Sequence, residues 1–148
     1  MNKLVIDYRL NENGNWEMLF SSETKDGEKI KEWVGCTINE VPVHKIFDIW
    51  DNMINELSLK EARYNRLKDK YDNDEFEIVY VADIDFKGMY GSTSETVRRK
   101  HAKKMLKLLD KEISDLELSI NYLKRMISFL KHVLVIRSEV VKASGLSL

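Results

Sequence analysis

Along this chain apolar residues first alternate with polar ones and then recur at helical spacing, and the change of period predicts the elements. Leu4, Ile6, Tyr8 and Leu10 alternate with Val5, Asp7 and Arg9, the pattern of a half-buried strand. Asn11-Glu12-Asn13-Gly14-Asn15 follows, and Asn-Gly between two such segments signals a hairpin. Residues 16–21 predict a second strand, Asp26-Gly27 marks a looser turn within 22–28, and residues 29–38 predict a third strand. The segment 3–38 thus reads as a β-meander. Alternation puts Trp16 and Phe20 on one face. With Tyr8 and Trp33 they form a candidate stacking platform, at least part of which must be core.

At Pro42 the period changes. A proline suits the first turn of a helix, where its missing N–H costs nothing. Val43, Ile46, Phe47, Trp50, Met53, Ile54, Leu57, Tyr64, Leu67 and Tyr71 then recur at helical spacing, predicting a helical segment over 43–71. Ser58 and Glu61 match a capping box with Leu57 as its staple, so one helix or two both fit. Residues 76–86 predict a fourth strand. Phe76, Ile78, Tyr80, Ala82, Ile84 and Phe86 share one face, and Glu77, Val79, Val81, Asp83, Asp85 and Lys87 the other. Gly88 and Gly91 interrupt, and Ser92 with Glu95 matches a capping box that opens the last helix.

That helix is the strongest signal. Leu106, Leu109, Ile113, Leu116, Ile120, Leu123, Ile127, Leu130 and Leu134 repeat at spacings of three and four, Ala102 and Val141 extend the row, and Arg137 is its one polar intrusion. Ile113, Ile120 and Ile127 fall at a and Leu109, Leu116, Leu123 and Leu130 at d, a coiled-coil pattern. The flanks oppose a parallel dimer, because Glu112 at g faces Glu117 at e′, and apolar Met105, Met126 and Val133 at g widen the stripe. A helix over 95–137 is about 64 Å long at 1.5 Å per residue, longer than a domain of this size is wide. Self-association is therefore expected through Leu116, Ile120, Leu123, Ile127, Leu130 and Leu134, chiefly over 123–141. The alternative is packing against the 43–71 helix of the same chain. The fold class is α+β: an antiparallel four-stranded sheet, β-β-β-α-β-α, with a long C-terminal amphipathic, coiled-coil-like helix.

Composition sharpens this picture. The chain has 148 residues, 43% hydrophobic and 33% charged, enough for one domain with a core. Its single cysteine, Cys36, excludes an internal disulfide and a cysteine-based zinc site. The net charge of −1 hides an asymmetry. Residues 1–91 carry 12 Lys+Arg against 19 Asp+Glu, a balance of −7, and residues 92–148 carry 12 against 6, a balance of +6. The organisation expected is an acidic α/β part, 1–91, and a basic helix, 92–148. Lys3, Asp7 and Arg9 interrupt any apolar leader, and the longest apolar run near the C-terminus is 133–136, so a cytoplasmic protein without membrane contact is expected. Lys outnumbers Arg 17 to 7, with ten Asn and one Pro, a bias common in AT-rich genomes and in their phages.

Three groups of residues are chemical candidates. Arg98, Arg99, Lys100, Lys103, Lys104, Lys107 and Lys111 form a basic stripe opposite the apolar row, suited to anion or nucleic-acid contact. Asp72, Asp74, Glu75, Glu77, Asp83 and Asp85, with Asp69 nearby, form a candidate acidic partner surface. Within it, Asp83-Ile84-Asp85-Phe86-Lys87 resembles the catalytic strand of restriction-endonuclease-like nucleases, which implies a Mg-dependent nuclease around Asp85 and Lys87 with Asp74 or Asp83 as first acid. The resemblance covers about a dozen residues, and the family's preceding strand pair is missing. Gly88-Met89-Tyr90-Gly91 follows a strand here, whereas the G-x-x-G of KH domains joins two helices, so a turn is expected. His44, His101 and His132 lie far from Cys36 in sequence and form no nucleophile constellation.

The expected function is therefore a small non-enzymatic protein-binding or modulator protein, of the kind a phage or mobile element uses to inhibit a host or defence target. It self-associates as a homo-oligomer through its last helix and has no catalytic residue, metal or cofactor. Nucleic-acid binding by the basic stripe is the alternative, and the nuclease is third.

Overall fold

The computed structural model describes the backbone of residues 3–143 and the side chains of residues 3–138. The chain divides into two compact units: unit 1 takes the chain up to Met53 and from Ile127 onward, and unit 2 is Ile54–Met126. The charge boundary at Ser92 lies inside unit 2.

Unit 1 is built on the meander. Strands β1 (Leu4–Leu10), β2 (Trp16–Glu23) and β3 (Lys29–Gly35) form a three-stranded antiparallel sheet in the order β1-β2-β3. The first hairpin is tied by Asn11, whose Oδ1 accepts hydrogen bonds from the backbone N–H groups of Asn13 and Asn15 at 3.0 and 2.9 Å. Leu10 pairs with Trp16 and Tyr8 with Met18, but the register shifts between Val5 and Asp7. A bulge there re-aims every side chain on its far side. Simple alternation puts Leu4 and Ile6 on the face of Tyr8 and Leu10. In the structure Tyr8 and Leu10 pack on the core, while Leu4 and Ile6 are exposed.

A 3-10 turn, Ile38–Glu40, leads into α1 (Val43–Phe76), with Glu40 Oε2 accepting from the Thr37 N–H at 2.8 Å. The last helix of the chain is α4, defined below with its neighbours. In unit 1 the side chains of Trp16, Val41, Ile46 and Leu130 form the core, with Ile49, Trp50, Met53, Val133 and Leu134 packed around them. Two polar side chains of this unit find carbonyl partners: Trp50 Nε1 donates to the Ile127 carbonyl at 3.2 Å, and the Arg137 guanidinium donates to that of Val41. The polar intrusion in the apolar row is thus a tie to the turn preceding α1. Val141 lies outside the residues whose side chains are described.

Unit 2 departs from expectation at residues 76–86. No fourth strand forms. α1 runs unbroken for 34 residues through the Ser58–Glu61 signal, and a π-helical turn (Glu77–Val81) continues it, closed by the Ala82 N–H donating to the Glu77 carbonyl at 2.7 Å. The element order is β-β-β followed by helices only, α1, α2 (Phe86–Tyr90), α3 (Glu95–Met105) and α4 (Lys107–Ala143). The physical reason is that Ile78–Ala82 is an unbroken apolar run, and a short apolar run fits a buried helix as well as a strand. Val79 is fully buried, as is nearly all of Phe86, whereas Phe76, Tyr80 and Val81 point outward. No strand face has that distribution.

The last helix also differs. Ser94, not Ser92, caps α3, its Oγ accepting from the Val97 N–H at 3.3 Å, while Ser92 Oγ accepts from the Ser94 N–H at 3.1 Å. Leu106, at φ −97° and ψ 13°, separates α3 from α4. Hydrogen bonds nonetheless continue through the junction, from the Leu106 N–H to the Ala102 carbonyl and from the Asp110 N–H to the Leu106 carbonyl, both 2.9 Å.

The heptad row has partners within the chain. In unit 2, Ile113, Ile120 and Leu123 are buried, Lys60 Nζ donates to Ser119 Oγ at 2.5 Å, and Arg63 pairs with Glu112. Glu112, repulsive at the edge of a parallel dimer, is neutralised by α1. The sheet therefore has three strands rather than four, and within unit 2 the heptad row buries Ile113, Ile120 and Leu123 and leaves Leu109 and Leu116 half-buried.

Candidate functional site

Unit 2 places its chemistry-bearing side chains where α1 ends and α3 begins. A helix end leaves carbonyls without intrahelical partners. Here Arg98 supplies the missing donor: its Nη1 donates to the Val79 carbonyl at 3.0 Å and its Nε to the Thr93 carbonyl at 2.9 Å. The guanidinium also lies over the Phe86 ring, 5.2 Å from the centroid. One side chain thus ties the π turn, α2 and the start of α3 together.

Arg99 is tied alongside. Its Nε and Nη2 donate to Glu95 Oε1 at 3.0 and 2.8 Å, its Nη1 to Glu75 Oε1 at 3.1 Å, and its Nη2 to the Tyr80 hydroxyl at 3.1 Å. Tyr80 in turn donates to Glu95 Oε1 at 2.7 Å. The hydrogen bond from Tyr80 chiefly, with that from Arg99 next, holds the Glu95 carboxyl below its usual range. Phe76 packs against Tyr80 with ring centroids 5.1 Å apart.

The loop between them is shaped by two glycines. Asp85 Oδ1 accepts from the Gly88 N–H at 2.9 Å and caps α2. A Cβ at Gly88 would lie 2.2 Å from Asp85 Oδ2, so only glycine admits this cap. Gly91 ends α2 at φ 70°, its N–H donating to the Lys87 carbonyl at 2.8 Å. Tyr90, the last residue of α2, reaches His101: the hydroxyl and Nδ1 are 2.6 Å apart, and the His101 ring packs edge-on against both Phe86 and Tyr90 at 5.5 Å. His101 is buried and partnered, whereas His44 and His132 are exposed.

The candidate sets from the sequence are redistributed. Of the basic stripe, Arg98 and Arg99 turn into the network above, while Lys100, Lys103, Lys104, Lys107 and Lys111 are exposed. Of the acidic set, Asp74 pairs with Lys70 at 2.9 Å, Glu75 pairs with Arg99, and Asp85 is the α2 cap; Asp72, Glu77 and Asp83 are exposed. The strand needed by the nuclease resemblance is absent, and Asp85 instead caps α2, its Oδ1 accepting from the Gly88 N–H. Among the described residues no three His, Cys, Asp or Glu converge as metal ligands.

Of the row expected to pair with a second copy, Ile120, Leu123 and Leu130 are buried within the chain and Leu116, Ile127 and Leu134 are half-buried. The aromatic platform on the sheet is divided. Trp16 is buried in the core and Tyr8 packs on it, while Trp33 pairs with Leu19 on the opposite face, under Arg9 at 4.0 Å. Burial chiefly, then Glu40 and Glu17, pushes the Cys36 thiol up, away from thiolate chemistry. Among the described residues no helix is long and apolar enough to cross a membrane.

What the arrangement leaves at the surface of unit 2 is apolar. Phe76, Tyr80, Val81, Met89 and Tyr90 are exposed by 58, 51, 58, 58 and 42%. A strand over 76–86 sets Phe76 and Tyr80 on one face and Val81 on the other, and so gathers no contact surface from them. The available signal was the helical spacing of Leu67, Tyr71 and Ile78, which carries the α1 row past the Asp72–Asp74 break.

No family model matches the chain, and neither does any curated protein or solved structure.

Proposed function

We propose that this is a non-enzymatic protein-binding module that takes its partner on the 76–90 surface of unit 2. The observation that carries the reading is the exposure of Phe76, Tyr80, Val81, Met89 and Tyr90 within fifteen residues. Aromatic residues, Met and Arg are the side chains enriched at the centres of protein interfaces. Their backbone is held by Arg98, Asp85 and the two glycines, so little ordering cost falls on binding. The exposed charges of the segment and its approach are mostly acidic, Asp72, Glu77 and Asp83 against Lys87. The partner is therefore a protein presenting an apolar surface bordered by Lys and Arg. A phage or mobile-element protein that inhibits a host or defence target by covering such a surface fits this chemistry.

The test is a photo-crosslinking residue placed at Met89 and, as control, at Lys25 in the second hairpin of unit 1. A discrete adduct from position 89, suppressed by excess wild-type protein and absent from position 25, supports the reading. Equal adducts from both positions, or none that wild type suppresses, contradict it.

A second reading, self-association, rests on a different face of α4. In unit 1, Phe129 and Ile136 are exposed at a spacing of seven, the repeat a partner helix takes. A second copy pairing on this row gives a dimer in sedimentation equilibrium, reduced to monomer by Phe129→Lys/Ile136→Lys. A wild-type monomer at tens of micromolar contradicts it.

A further inference from the structure

The basic stripe divides into two kinds of residue. Arg98 and Arg99 are consumed by the Val79 carbonyl, Tyr80, Glu75 and Glu95. Lys100, Lys103, Lys104, Lys107 and Lys111 are all exposed, and none takes part in an ion pair or side-chain hydrogen bond among the described residues. No acidic residue occurs between Glu95 and Asp110. At about 100° per residue the five lysines fall within an arc of about 100°, opposite the buried Ala102 and Leu106. The helical hydrogen bonds that cross Leu106 carry that face from α3 into α4. Lys111 lies just past this acid-free span, between Asp110 and Glu112. Like charges three and four residues apart weaken a helix, and among the described residues no acid is close enough to form an ion pair with any of the five.

We propose that these five lysines bind the phosphodiester backbone of double-stranded DNA without reading its bases. From Lys100 to Lys111 the helix rises about 16 Å, so the stripe offers one ammonium every ~4 Å, set against one phosphate per ~1.7 Å of duplex. Each lysine therefore meets a phosphate without a required register. Ammonium groups are point charges on flexible stems and tolerate any sequence. No Asn, Gln or Arg fork of the stripe is free to address a base edge. A membrane surface fits less well. The apolar side of α3 is buried in unit 2, which leaves Met105 and Leu108, 64 and 84% exposed, as the only apolar flank of the stripe among the described residues. The exposed acids over residues 72–83 do not cancel the stripe for a ligand in direct contact, because screening limits exposed charges to about 10 Å at 0.1 M salt.

The experiment is fluorescence anisotropy of a 20-base-pair DNA with the full chain over 50–200 mM KCl. Five phosphate contacts give a slope of log K against log salt of about −4.5. Replacing Lys104 and Lys107 together by Gln reduces the slope in magnitude by about 1.8, and replacing all five lysines abolishes binding, with the far-UV spectrum unchanged in both variants. Two duplexes of unrelated sequence bind within about twofold of each other. Absence of binding at 50 mM KCl, or a slope that the five-lysine variant keeps, overturns the proposal. Binding of phosphatidylserine vesicles or of polyglutamate as tight as that of DNA at the same salt also overturns it, in favour of a lipid or an acidic protein.

Discussion

Unit 1 and unit 2 treat aromatic residues in opposite ways. In unit 1, Trp16 is buried in the core, Trp50 packs beside it with its N–H satisfied, and the sheet and helices close around Val41, Ile46 and Leu130. In unit 2, Phe86 alone of the 76–90 aromatics is buried, while Phe76, Tyr80 and Tyr90 stay at the surface and are steadied by Arg99, Glu95 and His101. Apolar burial is the larger stabilising effect, and polar ties chiefly fix geometry. Unit 1 is therefore organised by packing, and the apical loops of unit 2 by hydrogen bonds that leave apolar surface free.

This contrast predicts a graded set of responses. The largest belongs to unit 1: Leu130, with no exposed surface, loses its core contacts in Leu130→Ala, at a cost of about 2–5 kcal/mol. Urea unfolding followed by tryptophan fluorescence measures it directly, since Trp16, Trp33 and Trp50 all lie in unit 1. A cost below about 1 kcal/mol would contradict the packing account.

Next comes Arg98→Ala, which leaves the Val79 carbonyl without its donor and costs about 1–3 kcal/mol. Lys100→Ala, two residues on and on the exposed face, stays within about 0.5 kcal/mol. Thermal unfolding of the pair separates strut from stripe, and equal effects would erase the distinction. Gly88→Ala follows, at about 1 kcal/mol: the added Cβ meets the Asp85 carboxylate and the α2 cap is lost. Faster amide exchange confined to residues 84–91 is the expected mark.

The smallest effect is a pH dependence in unit 1. The hydrogen bond from Lys45, with that of the Tyr8 N–H next, lowers the Asp7 pKa. The folded pKa lies below the unfolded one, so this contribution is complete above about pH 4 and disappears as the pH falls through the folded value. The pair is 2.7 Å apart, but the Asp7 side chain is 46% exposed, so solvent screening keeps the effect below about 0.5 kcal/mol. In Asp7→Asn that part of the acid-side slope vanishes, and an unchanged slope would assign it elsewhere.

The same contrast explains what the sequence made legible. The meander, the start of α1 and the buried row of α4 follow from period alone, because in each the positions at the right spacing are the ones the fold buries. The bulge at Ile6 was hidden, since nothing in strict alternation marks a shift of register. Residues Ile78–Ala82 are an unbroken apolar run, and the choice between strand and helix there is made by tertiary partners: Val79 for burial and Arg98 for the orphan carbonyl. The candidate surface was illegible for the same reason. Which of Phe76, Ile78, Val79, Tyr80 and Val81 face outward depends on a helical rather than a pleated backbone. The basic stripe was legible as charge, but its division into two arginine ties and five free lysines required the positions of Glu75, Tyr80 and the Val79 carbonyl.

The central claim is that partner binding belongs to the exposed apolar residues of unit 2 and not to those of unit 1. With the partner captured at position 89, isothermal titration of two double variants compares them directly. Phe76→Ser/Val81→Ser alters exposed residues of unit 2, and Leu4→Ser/Ile30→Ser alters exposed residues of unit 1. The account predicts a loss of affinity of about tenfold or more for the first, as interface anchors show, and a change within about twofold for the second. The reverse order, or equal losses, would contradict it.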